Sequence, residues 1–571
     1  MEDFTQMRIK QLKKDYENCG FPRTNSEYTV EEQMLPMRDG RRMKTVIYRP
    51  VGSERYPVLL RRTCYPSDKG LIQVDAENCA LRGYAFVYQF CRGTGGSEGE
   101  WFPNINERDD GIDTVNWICE QPWCEAVGYW GASYTALTGW AFADVAKGKV
   151  SSMFLVHYGT DRFASAYHKG LFHHDILTSW SMQNAGRPVD VDYISSCRYL
   201  PHIEVDEALW GGKLSWYRDY ISNEYPEDAY WQQGWWKQLR EIPSKVEIPL
   251  YILSGWYDHH HESTMKTWSR LRRETRKMSW LEIGGWNHGL QPVLQDKKVE
   301  NIENVEAVKA LTWFDLTLKK KQVPEQKIRY YVPGKDCWME ADSWEKIPRQ
   351  NQTLYLDADH QSLCQDVSGL PTSTCGYTYD PDDPVPTNGG DCTLASWLKT
   401  GSLLQEKPGW REDVVSFLSE PLEKERIING QIEVELWVRT DRENTAFFAS
   451  IDEMTPEGNF YHIRTSGTTI RHELSRGARY VPGTPVKVTL DMSDICYVLP
   501  AGSRIRIDVT SSDFPQYHAH SNQPGDWAEA KENVIAHQTI LTGKDYPSCV
   551  RIPCQKGLLV RTQLGEVRKS P

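Results

Sequence analysis

The tightest constraint in this chain is a strand that must turn into a helix over a single serine. The run Val127-Gly128-Tyr129-Trp130-Gly131-Ala132-Ser133-Tyr134-Thr135-Ala136 begins apolar, breaks at Gly131 and continues through small residues into a helical pattern with Leu137, Trp140 and Phe142. Such a turn pushes the serine hydroxyl out of the sheet, and only small neighbours let the backbone fold back so closely. The helix start behind it favours the negative charge that develops on an attacked carbonyl. The pentapeptide ends in Thr135 where the usual Gly-x-Ser-x-Gly signature has Gly. A lone Gly-x-Ser also suits a serine that merely caps a helix, so the rest of the chain has to separate the two readings.

Two later runs do so. Ile248 to Tyr257 is apolar and ends in Asp258, and Met278 to Ile283 is a second strand-like run that leads through Gly284-Gly285-Trp286-Asn287 to His288 and Gly289. Each delivers a polar residue into the loop at a strand end. The order Ser, Asp, His is that of an α/β-hydrolase triad, which makes Ser133 the candidate nucleophile, Asp258 the acid and His288 the base.

The other runs set these three in a larger frame. Glu27 to Arg49 reads as two strands around Arg38-Asp39-Gly40, Tyr56 to Thr63 as a strand ending at Cys64-Tyr65-Pro66, and Ala85 to Gln89 as a buried strand. The glycine-rich stretch Cys91 to Gly99 lacks the Gly-Lys-Ser/Thr ending of a phosphate-binding loop and has no helix directly behind it. A helix at Asp109 to Glu120 precedes the elbow strand, and alternation of strand and helix resumes at Lys149 to Val156 and at Ile248. That alternation predicts a doubly wound, mainly parallel sheet.

Between Tyr158 and about Lys245 the chain turns aromatic and helical in period, with Trp180, Trp210, Trp216, Trp231, Trp235 and Trp236. This is read as a helical cap roofing the serine. After a helix from Val305 to Lys319 the period drops to two, as in Ile432, Val434, Leu436 and Val438. The expected architecture is an α/β-hydrolase core, residues 1–157 and 246–325, interrupted by a cap at 158–245 and followed by a jelly-roll β-sandwich at 326–571.

Composition narrows the function. A chain of 571 residues exceeds one core and implies three or four units. The net charge of −12, with no basic run, excludes a phosphate-tracking surface and hence nucleic acid as partner. The 22 tryptophans suit pockets for flat or bulky apolar groups. The first residues lack the apolar core of a signal peptide and no run is long enough to span a bilayer, so the expectation is a cytoplasmic chain with no membrane contact. The 14 cysteines form no pair of metal knuckles and read as reduced structural thiols.

With these residues in view, the chain resembles the cocaine esterase family of α/β-hydrolases, which also includes X-Pro dipeptidyl peptidases, α-amino acid ester hydrolases and glutaryl-cephalosporin acylases. The resemblance rests on Arg92-Gly93 through Ser97-Glu98-Gly99, the run from Trp117-Ile118 to Gln121-Pro122-Trp123-Cys124, Gly131-x-Ser133-Tyr134, Gly255-Trp256-Tyr257-Asp258 and Trp286-x-His288-Gly289. In that family Tyr follows the nucleophile, so the imperfect pentapeptide is expected. The resemblance implies an oxyanion hole made of the Tyr134 amide and the Tyr65 phenol, and it matches Gln89 to a pocket amide. Trp130 and His260 are further candidate substrate contacts.

One departure is that His259-His260-His261 and a single Glu262 follow Asp258, where α-amino acid ester hydrolases have an acidic pair among the carboxylates that hold the substrate ammonium. Three adjacent histidines cannot all face one ion from regular structure, so no metal and no cofactor are expected. The resulting expectation is a serine hydrolase that cleaves carboxylic esters of neutral, bulky or aromatic acids through an acyl-enzyme on Ser133. Its partner is a small-molecule ester or amide, with homodimerisation left open. The alternatives are an amide-cleaving acylase, an α-amino acid ester hydrolase, an X-Pro dipeptidyl peptidase, and a non-catalytic binding protein.

Overall fold

The structure, a computed structural model, describes residues 4–52, 55–392 and 400–555. A first helix, α1 (Phe4–Glu17), leads into the antiparallel pair β1 (Tyr28–Pro36) and β2 (Arg42–Pro50). The strands β3 (Tyr56–Thr63), β4 (Ala85–Phe90), β5 (Cys124–Ala132) and β6 (Val150–Val156) follow, linked by helices α2 (Lys69–Ala80), α3 (Glu107–Glu120) and α4 (Tyr134–Trp140). In the cap, a two-residue hairpin of β7 (Tyr167–His168) and β8 (Leu171–Phe172) stands among short helices. The sheet then resumes with β9 (Leu250–Tyr257), β10 (Trp280–Asn287), β11 (Lys327–Val332) and β12 (Cys337–Ala341).

The ten sheet strands lie in the order β1-β2-β4-β3-β5-β6-β9-β10-β11-β12. From β4 to β11 every pairing is parallel. Their sequences explain why: β3, β4 and β9 are buried at every position, as strands covered by helices on both faces must be. After β3 the chain steps to one side for β4 and to the other for β5. The loops after β3 and β5 therefore flank the point where strand order reverses, the crevice in which open α/β sheets hold their ligands. Tyr65 lies in the first of these loops and Ser133 in the second.

The cap expectation separates into two kinds of tryptophan. Trp210, Trp231 and Trp236 are buried against Tyr217 or Tyr220, whereas Trp180 and Trp216 are half-buried. Beyond β12 the chain is almost wholly β, and its strands, from Arg349–Asp357 to Cys549–Gln555, form one fourteen-stranded sheet system. In Glu433–Thr440 the residues Val434, Leu436 and Val438 are fully buried and alternate with more exposed ones, as their period of two requires.

One expected limit moves. The sequence reading ends the first sheet at residue 325, but β11 runs parallel to β10 in the register Trp280 to Lys327, and β12 turns back on β11. Trp256 Nε1 donates to Tyr331 O at 2.8 Å and ties β11 to the end of β9. The buried run of β11 therefore belongs to the first sheet and not to the β-domain.

Arg62 of β3 is fully buried under the crevice. Its Nη1 donates to Glu107 O at 2.9 Å and Glu107 Oε2 at 3.0 Å, its Nε donates to Gln89 Oε1 at 2.9 Å, and Asp110 lies 3.8 Å from Nη2. A guanidinium suits this place because its fork serves several acceptors at once. Removing it would leave the buried Glu107 carboxylate without its cation, while Asp110 keeps Arg92 at 2.7 Å. We expect Arg62→Ala to cost about 3–5 kcal/mol, read as a lower denaturant midpoint with an unchanged slope. A loss below about 1 kcal/mol, the scale of an exposed pair, would contradict the role given to this network.

Candidate active site

Ser133 occupies a backbone conformation that side chains rarely adopt, φ 55° and ψ −128°. Three local features impose it. Gly131 is needed because a Cβ there would lie 2.1 Å from Thr135 O. Thr135 closes the turn with its hydroxyl, which accepts from Ala132 N at 2.6 Å and donates to Ala132 O at 2.7 Å. Tyr129 OH donates to Thr135 O at 2.9 Å from the strand beneath. Thr135 thus has a structural task at the position where the usual signature has glycine. Tyr134 anchors the new helix: its hydroxyl accepts from Asn104 N and donates to Glu107 Oε1, both at 2.8 Å, and Glu107 is the partner of Arg62.

Ser133 is half-buried at the tip of this turn. Its own N–H donates to Val156 O at 2.9 Å, across to the end of β6. As the first residue of α4, Tyr134 has an N–H with no acceptor four residues earlier within the helix, so it is a donor suited to an oxyanion. The structure shows no hydrogen bond from Ser133 Oγ to His288 among the described residues.

Asp258 follows β9 and is wholly buried. His288 Nδ1 lies 3.3 Å from both of its oxygens, which leaves Nε2 as the ring nitrogen not committed to Asp258. His260 N–H donates to Asp258 Oδ1 at 2.7 Å. Burial alone would raise the Asp258 carboxyl, but the adjacent His157 and then His288 hold it well below the usual carboxylate range. The loop bearing His288 is shaped by Asn287, whose Oδ1 accepts from Gly289 N at 3.0 Å and Gln291 N at 3.1 Å.

Tyr65 also meets a partner that sequence reading did not assign. Trp180 Nε1 of the cap donates to Tyr65 OH at 2.9 Å. A phenol oxygen that accepts this bond keeps its own proton as the one it can give, and burial pushes the phenol well above its ordinary value, so it stays a donor. Trp101, Tyr134, Trp180 and Trp216 pack ring against ring beside it, with centroids 5.5–6.5 Å apart.

Two expected substrate contacts are corrected. Gln89 is fully buried with its amide committed inside the protein: Oε1 accepts from Arg62 Nε and, at 2.8 Å, from Thr114 Oγ1, while Nε2 donates to Thr45 Oγ1 at 3.1 Å. Trp130 is 1% exposed and its Nε1 donates to Glu306 Oε1 at 2.7 Å inside the protein. His260 does lie beside the base, its ring 5.6 Å from that of His288, with Nδ1 2.9 Å from Ser165 Oγ. His259 is nearer, at 4.3 Å. Burial pushes both imidazoles well below their ordinary values, so they are neutral.

Sequence reading also missed His157, the residue after β6, whose Nδ1 is in direct contact with Asp258 Oδ2. Its only sequence signal is a histidine at the carboxyl end of a central strand. His157, Asp258 and His288 are the residue types a divalent cation takes, with donor atoms within 4.8 Å of one another. In this structure the two histidines contact the Asp258 carboxylate directly.

Residues 39–290 match the family model of X-Pro dipeptidyl-peptidase (S15 family), and residues 309–551 match that of the X-Pro dipeptidyl-peptidase C-terminal non-catalytic domain. The chain is 27% identical to the cocaine esterase of Rhodococcus sp. (strain MB1 Bresler), covering 93% of this chain and 100% of that one. It is 23% identical to a putative serine esterase of Mycobacterium bovis, covering 84% and 90%. Among solved structures it is similar to an aminopeptidase from a marine sediment Thaumarchaeota archaeon, with TM-score 0.80, 20% identity and coverage of 94% and 99%. An α-amino acid ester hydrolase gives TM-score 0.79, 20% identity and coverage of 94% and 98%. The two family models in tandem, on a ten-stranded α/β sheet followed by an all-β domain, place this chain in the cocaine esterase and X-Pro dipeptidyl-peptidase (S15) family of α/β-hydrolases.

Proposed function

We propose that the protein is a serine esterase that opens carboxylic esters of neutral, bulky or aromatic acids through an acyl-enzyme on Ser133. The observation that carries this is the Asp258–His288 pair at the end of a chain of contacts that starts at the strained Ser133. His288 Nε2 takes the hydroxyl proton as Oγ attacks the carbonyl carbon. Asp258 holds the ring by Nδ1 and steadies its positive charge. The carbonyl oxygen, now an alkoxide, accepts from the Tyr134 amide and the Tyr65 phenol. Collapse expels the alcohol, which takes the proton from His288. Water then attacks the acyl-enzyme with the same base, and Ser133 is restored.

The acyl preference is supported by what surrounds the base and the phenol. The rings of Trp101, Trp180 and Trp216 favour apolar groups, and buried apolar area contributes ~25 cal/mol per Å². A substrate ammonium would need a carboxylate of its own. Glu262, the first acid after Asp258, is already taken: Lys266 Nζ donates to it at 2.6 Å and His168 lies 3.5 Å away. An unpaired ammonium here would lose its hydration without a partner. Within the same reading the domain limits are a core at 1–157 and 246 to about 341, a cap at 158–245 and a jelly roll beyond. A cytoplasmic setting suits buried thiols such as those of Cys64, Cys79, Cys91 and Cys496, which read as reduced structural groups. Among the described residues no helix is long and apolar enough to cross a membrane.

The test is hydrolysis of p-nitrophenyl esters by the wild type and by Ser133→Ala, with a loss of about a millionfold in kcat expected for a triad that acts as a unit. In a panel at pH 7, kcat/KM for a benzoyl or phenylacetyl ester should exceed that for the phenylglycyl ester. If the phenylglycyl ester or a glycyl-prolyl anilide is the best substrate, the acyl preference is wrong. Tyr65→Phe keeps the ring and removes the donor, so kcat should fall about 100-fold with little change in KM. A raised KM with kcat intact would make Tyr65 a substrate contact instead.

A further inference from the structure

The two-residue step Val156-His157 at the end of β6 grips the site at both ends. Val156 O accepts the Ser133 N–H at 2.9 Å, and the very next side chain, His157, touches Asp258 Oδ2 through Nδ1. His157 is 2% exposed and holds φ 55°, a left-handed backbone in a residue that is not glycine. Its N–H donates to Leu253 O at 2.8 Å, which fixes the turn against β9, the strand that delivers Asp258. Its ring centroid lies 5.3 Å from that of His288. Non-glycine residues in this backbone region cluster where surrounding structure over-determines them, and active sites are the commonest such places. A core histidine with no task would find ordinary hydrogen-bond partners, and among the described residues Nε2 of this ring has none. This one spends its Nδ1 on the carboxylate that orients the catalytic imidazole.

We propose that His157 is a positioning residue of the triad, a second imidazole that donates to Asp258 and so fixes how much of the carboxylate's charge reaches His288. This rests on the triad reading above. Asp258 Oδ1 already accepts from the His260 amide, and Oδ2 is engaged by His157, so the His288 contact is shared between both oxygens at 3.3 Å. A carboxylate that accepts other donors pulls less strongly on the imidazolium of His288. Losing the His157 donor would leave more of that charge for His288. The other titratable groups that act on this cluster are His259, His260 and His261 after β9 and Glu306 of the helix Glu306–Phe314. Around the histidines lie Arg162 and His173 of the cap and Arg464 of the β-domain.

Two substitutions separate positioning from packing. His157→Gly removes the donor while relieving the left-handed backbone, and His157→Asn keeps a donor near the Nδ1 position in a residue that tolerates that backbone. In the pH profile of kcat/KM for a p-nitrophenyl ester, the acid limb reports the base of the free enzyme. His157→Gly should move that limb up by about one pH unit, and His157→Asn should bring it back to the wild-type position. Melting temperatures are measured alongside, since a merely structural role lowers them without moving the limb. An unmoved or downward-moved limb in His157→Gly, or the same limb in both variants, overturns the proposal. Ser133→Ala, run in parallel, reports on the triad itself: if it retains the activity, the triad reading fails and not the role of His157 alone.

Discussion

The backbone of Ser133 is the constraint on which the site depends. A non-glycine residue at φ 55° and ψ −128° costs of order 1–3 kcal/mol and persists only where its surroundings leave it no alternative. Here the surroundings are specific: Gly131 without a side chain, the Thr135 hydroxyl closing the turn on Ala132, and Tyr134 pinned to Glu107. Glu107 is in turn held by the buried Arg62. Strain at Ser133 is thus maintained by an ion pair inside the core, to which the amide of Gln89 is hydrogen-bonded.

The segment that carries Asp258 depends on a different part of the molecule. Arg464 of the β-domain, 1% exposed, donates through Nη2 to Trp256 O, two residues before Asp258, and to Asp494 O at 2.8 Å. His168 of the cap hairpin lies 3.0 Å from Ser466 Oγ of the β-domain and 3.5 Å from Glu262 of the helix after Asp258. The acid loop is therefore built where core, cap and β-domain meet. A domain that supplies none of Ser133, Asp258 and His288 thus still braces the segment that carries Asp258.

What the sequence made legible was whatever is local. The elbow is a pattern of ten consecutive residues, and Asp258 and His288 each follow an apolar run, so the strands themselves and the candidate order Ser, Asp, His stood out from period and punctuation. Contacts that join distant segments could not be read in this way. The Trp180 bond to Tyr65 and the His157 bond to Asp258 link segments about a hundred residues apart, and nothing in either segment alone distinguishes the partner. Gln89 and Trp130 misled for the converse reason. Both sit at the right strand ends, but whether a strand-end side chain faces the crevice or the core is decided by partners such as Thr45, Thr114 and Glu306. The end of the first sheet was misplaced because β11 follows a helix that looks like a natural domain end, while its pairing partner β10 precedes that helix.

The central claim is that Ser133 is the one activated nucleophile of this fold, and covalent labelling tests it most directly. Incubation of the full chain with a fluorophosphonate, followed by intact mass and peptide mass spectrometry, should give a single adduct on the peptide carrying Ser133, together with loss of esterase activity in proportion to labelling. An adduct on another residue, or full labelling of Ser133 with esterase activity undiminished, would contradict the account.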